Sequence, residues 1–299
     1  MTNEIACRFC GGPTVPAFDA VDRNHRLSDH AFPYVACTAC GTVSLAEVPD
    51  DLGRYYPASY YGMPESPDAA VARDDNAAHR LELVRSLVPA GGSLLEIGPA
   101  TGGFIELARR AGYDVSAIEL DAACCAFISD VLGIPVTQSD DPAAALSGQH
   151  DAIVMWHVIE HLSNPAATIA AAAAALAPGG TLIVIAPNPR SLQLRVLGGR
   201  WAHVDPPRHL ALIAPEAIVA EGARHGLQPV HQTTADEDAR RSNNFGWAGS
   251  FASFSTNGPA RKVAGLAGEA VRLAVAPIER RGGRGASYTL ALRRPSSPS

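Results

Sequence analysis

Apolar and polar positions alternate along the chain in two rhythms. Short apolar runs at Ser93–Ile97, Tyr113–Ile118, Ile134–Thr137, Asp151–Trp156 and Thr181–Ala186 predict strands, and the fourth is continuous enough to be buried on both faces. Between them, Ala77–Val88, Gly103–Ala111, a segment capped by Asp121, and Pro165–Leu176 read as helices, the last stopping at Pro178-Gly-Gly. Pro215–His225 adds a helix, and Leu227–Gln232 and Ser287–Arg293 add two strands. Alternation of this kind predicts an α/β fold: a Rossmann-like, seven-stranded, mostly parallel sheet with helices on both faces. Pro259–Glu279 is apolar around much of a helix. Core or lid packing is its first expectation, a dimer contact the second, and a membrane surface the third.

The rhythm is absent before residue 76. Residues 1–48 hold four of the six cysteines and predict a small zinc-binding module. Residues 49–75 are rich in Pro, Tyr and Asp and read as a linker or lid. Residues 76–299 form the main domain, with a helical insertion at about 239–283. Cys7-Arg-Phe-Cys10-Gly and Cys37-Thr-Ala-Cys40-Gly are two C-x-x-C-Gly knuckles with 26 residues between them. Each pair can chelate one tetrahedral ion, and four thiolates leave no open position, so a structural Zn2+ is expected on Cys7, Cys10, Cys37 and Cys40. Cys124 and Cys125 fall on a predicted helix and read as core.

Composition adds exclusions. The 299 residues carry a net charge of −6, whereas a chain that neutralises phosphate backbones shows a basic stripe. No nucleic-acid partner is therefore expected. The start lacks an apolar signal segment, and the longest apolar run, Ala166 to Ala177, is too short to span a bilayer. The expectations are a cytoplasmic protein without a membrane partner, a monomer or a homodimer.

The candidate chemistry lies in Leu94-Leu-Glu-Ile-Gly-Pro-Ala-Thr-Gly-Gly103, followed by Ala117-Ile-Glu-Leu-Asp121. A strand ending in a glycine-rich turn lets a ligand approach the backbone, and the next helix aims its amides at it. Glu119 lies about twenty residues beyond the glycines, where a carboxylate grips ribose hydroxyls. The rival reading, a nicotinamide dehydrogenase, needs Gly-x-Gly-x-x-Gly, whereas this chain reads Gly98-x-x-x-Gly102-Gly103.

These residues resemble the class I S-adenosylmethionine (SAM)-dependent methyltransferases. Glu96, Gly98 and Gly102 match the first motif of that family, with Ala100 in place of the middle glycine. The resemblance runs from about residue 76 to 233 and includes the fourth-strand motif Asp151–Pro165 and Leu176–Val184 before the fifth strand. It implies SAM as cofactor, held by Glu96, Gly98, Ala100, Gly102, Glu119, Leu120, Asp140 and His157. With the zinc ribbon and the Tyr-rich stretch Arg54–Gly62, the chain is also similar to bacterial sugar C-methyltransferases and related natural-product methyltransferases.

His157, Glu160 and His161 follow the fourth strand, where ligands gather at the carboxyl ends of a parallel sheet, and are the candidates for acid–base chemistry. Anchoring of the loop is the alternative for the histidines. Tyr60, Tyr61, His203, Arg208 and His209 are candidates for binding the acceptor. The leading function is methyl transfer from SAM to a small molecule such as a sugar or a biosynthetic intermediate. An RNA methyltransferase and a non-catalytic SAM-binding scaffold are the alternatives.

Overall fold

A computed structural model describes residues 5–57 and 60–296. The main sheet has seven strands: β4 (Ser93–Ile97), β5 (Asp114–Glu119), β6 (Val136–Gln138), β7 (His150–Trp156), β8 (Leu176–Pro187), β10 (Gln228–Thr233) and β11 (Ser287–Arg293). Their order is β10-β11-β8-β7-β4-β5-β6, and only β11 runs against its neighbours. This is the expected mostly parallel sheet. Alternate residues of a strand face opposite sides: Leu95 and Ile97 enter one core, while Leu94 enters the other. The helices covering one face are α1 (Pro67–Arg73), α2 (Ala77–Leu87), α3 (Gly103–Arg110) and α4 (Ala122–Asp130), whose side chains share the second core. The other face is covered by α6 (Pro165–Ala175) and α8 (Pro215–Arg224), with the short α5 (Pro142–Ala145) beside α6.

Boundaries moved where local pattern and pairing disagree. The third strand begins at Val136 rather than Ile134, because Ile134 is buried in the core while Val136–Gln138 pair with Ala117–Glu119. The fifth strand begins at Leu176, so the helix ends at Ala175 and Pro178-Gly-Gly, expected to stop the helix, lies inside β8; Leu176 pairs with His150 ahead of an irregularity in β7. Asp121 caps α4 as expected, accepting from Cys124 N–H at 2.9 Å, and Cys124 and Cys125 are buried on that helix.

A second sheet joins the cysteine-rich region to the main domain. Strands β1 (Thr14–Val21), β2 (Ala31–Cys37) and β3 (Val43–Leu45) are extended by β9 (Ala211–Leu212), which arrives from beyond β8. Cys7, Phe9 and Cys37 share a core with Ile97, Met155 and Ile213. The cysteine-rich region is thus joined to the main sheet by both hydrogen bonding and packing. A third core joins Tyr34 and Leu45 to Trp201 and Leu210, under α7 (Leu192–Leu197).

Between β10 and β11 stand α9 (Glu237–Ala252) and α10 (Gly258–Glu279), the helical insertion. One oxygen of buried Glu279 accepts from Trp247 Nε1 and Gln193 Nε2, both at 2.9 Å, which pins α10 to α9 and α7. The outer side of α10 leaves Val263, Leu266 and Leu273 more than 60% exposed. Among the described residues, no helix is long and apolar enough to cross a membrane.

Candidate active site

The loop after β4 folds around two glycines in the left-handed region, Gly98 (φ +70) and Gly102 (φ +77). A Cβ on Gly98 would lie 2.7 Å from Val158, and one on Gly102 would lie 2.6 Å from Leu132, so both backbone angle and space demand glycine. Ala100 also adopts a positive φ, +50, and presents its N–H to Glu119 Oε2 at 2.9 Å. The other Glu119 oxygen accepts from Leu120 and Asp121 N–H at 2.8 and 2.9 Å. Burial raises the Glu119 pKa, and these three amides oppose that rise. The resulting carboxylate sits at the tip of β5, directly against the glycine loop. Beside it, Leu120 is 62% exposed despite its apolar side chain.

Glu96, on β4, is 3% exposed, and its Oε2 has no hydrogen-bond partner. Burial, then the neighbouring Asp74, raises its pKa well above the usual carboxylate range, so a cationic group placed here would be stabilised. Two donors missed in the sequence share this environment: Trp156 Nε1 and Arg80 Nε are both buried without partners. Arg80 stacks on the Trp156 ring and pairs with Asp238 of α9 at 3.1 Å. An amphipathic helix gave no signal for an inward-facing arginine. Glu96, Gly98, Ala100, Gly102, Glu119 and Leu120 are therefore gathered at the carboxyl ends of β4 and β5. Asp140 is an exposed residue of the loop after β6, where its neighbour Asp141 caps α5.

Because β7 lies beside β4, the segment after Trp156 starts next to the glycine loop. His157 has φ +56, and its N–H donates to the Ile185 carbonyl at 2.8 Å. This fixes the ring over a cavity of about 530 Å³. A turn of 3-10 helix, Ile159–His161, brings in Glu160, and another, Ala202–Val204, brings in His203. His157, Glu160, His203, His209 and Tyr60 all line the cavity. The middle turns of α9 add Arg241, Ser242 and Phe245, which had no signature in the sequence.

Three imidazoles here have an assignable tautomer, because a carbonyl can only accept. His161 Nδ1 donates to the Arg208 carbonyl (3.0 Å), His209 Nδ1 to the His203 carbonyl (2.8 Å), and His203 Nε2 to the Ser242 carbonyl (2.9 Å). Burial lowers the pKa of His161 and of His203 to about 4. Glu160 is fully buried. Burial pushes its carboxyl up, but His157, then His209 and His161, outweigh that and hold it at about 2. His157 Nδ1 lies 3.5 Å from Glu160 Oε1.

Two of the expected acceptor contacts lie elsewhere. Arg208 is fully buried, and its guanidinium is consumed by protein: Nε and Nη2 donate to Asp205 at 2.8 and 2.7 Å, and Nη2 donates to Asp22 at 2.6 Å. Nη1 donates to Asp22 at 3.4 Å and to the Tyr55 carbonyl at 3.5 Å. All its donors being spent, Arg208 is a clamp between the N-terminal sheet and the loop that carries His203 and His209, not an acceptor contact. Tyr61 packs edge-on against Tyr60, with ring centroids 4.9 Å apart, and is not among the cavity's lining residues.

The four knuckle cysteines converge. Cys7 Sγ and Cys40 Sγ are 3.7 Å apart, and Cys10 Sγ and Cys37 Sγ are 3.6 Å apart. A tetrahedral ion with Zn–S bonds of roughly 2.3 Å would set its sulfurs about 3.8 Å apart. Burial pushes the Cys7 thiol up to about 12, so thiolates gathered here call for a cation. The donor set fits zinc.

A family model described as "Methyltransferase domain" matches residues 71–232. The chain belongs to this methyltransferase family. The matched span begins in α1 and ends in β10, so it contains the glycine loop, Glu119 and the His157–His161 turn. A ubiquinone biosynthesis O-methyltransferase of Xanthomonas axonopodis pv. citri (strain 306) is 34% identical over 132 residues, covering 41% of this chain. The chain spans 55% of that relative's length. One of the same name from Ralstonia nicotianae is 27% identical over 165 residues, 50% of this chain and 69% of the relative. Among solved structures, the [4+2]-cyclase SpnF superposes with a TM-score of 0.52 at 19% identity, covering 80% of this chain and 88% of its own. A SAM-dependent methyltransferase from Archaeoglobus fulgidus gives 0.50 at 16% identity, covering 72% and 92%. At these identities the likeness speaks for the methyltransferase fold alone.

Proposed function

We propose that the chain transfers a methyl group from SAM to a hydroxylated small molecule held in the histidine-lined cavity. The observation that carries this reading is the meeting of Glu119 with the Gly98–Gly102 loop, next to the turn that opens the cavity. Glu96, with its unpartnered buried oxygen, would receive the methionine ammonium, and Glu119 would receive the ribose hydroxyls. Leu120 and Asp140 would flank the adenine. When bound, SAM supplies a methyl group already activated on a sulfonium, so the protein's main task is alignment. His157 is the residue best placed to take a proton from the acceptor, because it lines the cavity and has Glu160 behind it at 3.5 Å.

The relatives are named O-methyltransferases, which directs the first acceptor tests to phenolic and other hydroxyl compounds. Sugars, suggested by the zinc-ribbon resemblance, come second. A structural Zn2+ on Cys7, Cys10, Cys37 and Cys40 would hold the ribbon against the main core. A reducing cytoplasm is the compartment that keeps four thiols available for metal. The test is turnover of labelled SAM with such an acceptor panel, total RNA included, for the native chain and for His157→Ala. A loss of about a hundredfold or more in kcat is expected for the variant. Unchanged turnover would remove His157 from the chemistry, and cofactor binding without turnover on any acceptor would favour a scaffold.

A further inference from the structure

Glu160 is a buried carboxylate whose nearest cationic candidate is His157, with Nδ1 3.5 Å from its Oε1. It is 1% exposed, yet neither carboxylate oxygen has a hydrogen-bond partner. An isolated buried carboxylate is costly unless a positive charge compensates it. No arginine or lysine is paired with it among the described residues. Its neighbours are imidazoles. One donor atom each from Glu160, His161 and His209 lies within 4.8 Å of the other two.

Each of the two imidazoles keeps one ring nitrogen without a proton, as a ligand must. His161 and His209 both spend Nδ1–H on backbone carbonyls, those of Arg208 and His203, so each keeps the Nε2 lone pair free. Donation of the second ring nitrogen to a carbonyl is the arrangement that orients metal-bound histidines and fixes their tautomer. The Asp22–Arg208–Asp205 clamp in turn immobilises the loop that carries the Arg208 carbonyl and His209. The two rings stand edge to face, 4.6 Å between centroids. Glu160 and His209 also line the 530 Å³ cavity, which leaves coordination positions open toward it.

We propose that Glu160, His161 and His209 bind a divalent transition-metal ion at the wall of the acceptor cavity. Two imidazoles and one carboxylate suit Mn2+, Fe2+, Co2+ or Zn2+ better than the all-oxygen preference of Mg2+ and Ca2+. Three protein ligands leave room for a further oxygen, as a functional rather than a purely structural site requires. The ion would take a hydroxyl oxygen of the acceptor as that ligand, which would ease loss of its proton and hold it beside His157. The site itself stands independently of the methyl-transfer reading; only its role in holding an acceptor rests on that reading.

Mn2+ separates this site from the ribbon, since four thiolates select softer ions. Protein brought to one Zn2+ per chain, the amount that the four thiolates take, is titrated with Mn2+ and the free aqueous ion is followed by electron paramagnetic resonance. One Mn2+ bound per chain is expected for the native protein. At least tenfold weaker binding is expected for Glu160→Gln and for His209→Ala, with native affinity retained in His25→Ala, which changes a cavity residue outside the set. Zinc content and circular dichroism identify variants that remain folded, and His161→Gln replaces any that does not. No bound Mn2+ in the native protein, or equal binding by the folded variants, overturns the proposal. S-adenosylhomocysteine is titrated into the same samples: its binding without Mn2+ binding sinks only the cation site, and the reverse sinks only the methyl-transfer reading.

Discussion

At the proposed cofactor end of the cleft, the polar groups come mainly from residues 96–121, and backbone amides make most of the contacts to Glu119. At the proposed acceptor end, side chains converge from positions as far apart as Arg23 and Arg261. The first region is held by short-range geometry: a strand, a turn that requires glycine, and a helix. The second is held by long-range pairs, among them Asp22 with Arg208, which are 186 residues apart. A site written in one segment tolerates changes elsewhere. A site assembled from several segments depends on every tie between them, and its lining can be altered by substitutions in any one of them.

The difference can be broken most severely at the clamp. Arg208→Met would leave two carboxylates facing each other without their cation, and removing one member of a buried ion pair costs roughly 3–5 kcal/mol. Urea unfolding should register a loss of that size. If the comparison holds, cofactor binding in the remaining folded protein should be nearly native. A loss under about 1 kcal/mol would mean the clamp is incidental.

Acid probes the same tie more gently. Burial alone would raise the Asp205 carboxyl, but Arg208, with a smaller contribution from His209, holds it at about 2 against an ordinary 3.8. A pKa depressed in the folded state means that the unfolded chain binds more protons as pH falls. The stabilisation is therefore complete above about pH 4 and lost between there and pH 2, on the order of 2 kcal/mol. Urea midpoints measured across that range should fall more steeply in the native protein than in Asp205→Asn. Parallel curves would contradict the assignment.

The smallest effect belongs to the cofactor end. Ala100 sits at φ +50, where a Cβ is unfavourable by about 1–2 kcal/mol, partly offset by glycine's greater freedom in the unfolded chain. Ala100→Gly should leave stability within about 1 kcal/mol of native or slightly raise it, with cofactor affinity preserved. A tenfold loss of affinity would show that the alanine has a role beyond closing the turn.

What could be read in advance follows the same division. The seven strands, their mostly parallel arrangement and the Glu96–Glu119 segment were legible because strand periodicity and turn chemistry are local. The knuckle cysteines were legible because their spacing is itself the signal. Strand β9 is two residues long and has no pattern of its own; it exists only because β3 offers an edge. Arg208 looked like a substrate contact, since nothing near it in sequence reveals the remote Asp22. Arg80 and the α9 residues Ser242 and Phe245 were invisible for the same reason: they are placed by packing between distant helices.

The central claim is a cofactor site anchored on Glu119, and calorimetric titration with S-adenosylhomocysteine tests it most directly. One site per chain with micromolar affinity is expected, weakened at least tenfold by Glu119→Ala, or about 1.4 kcal/mol. Absence of binding in folded native protein, or an unchanged affinity in the variant, would contradict the account.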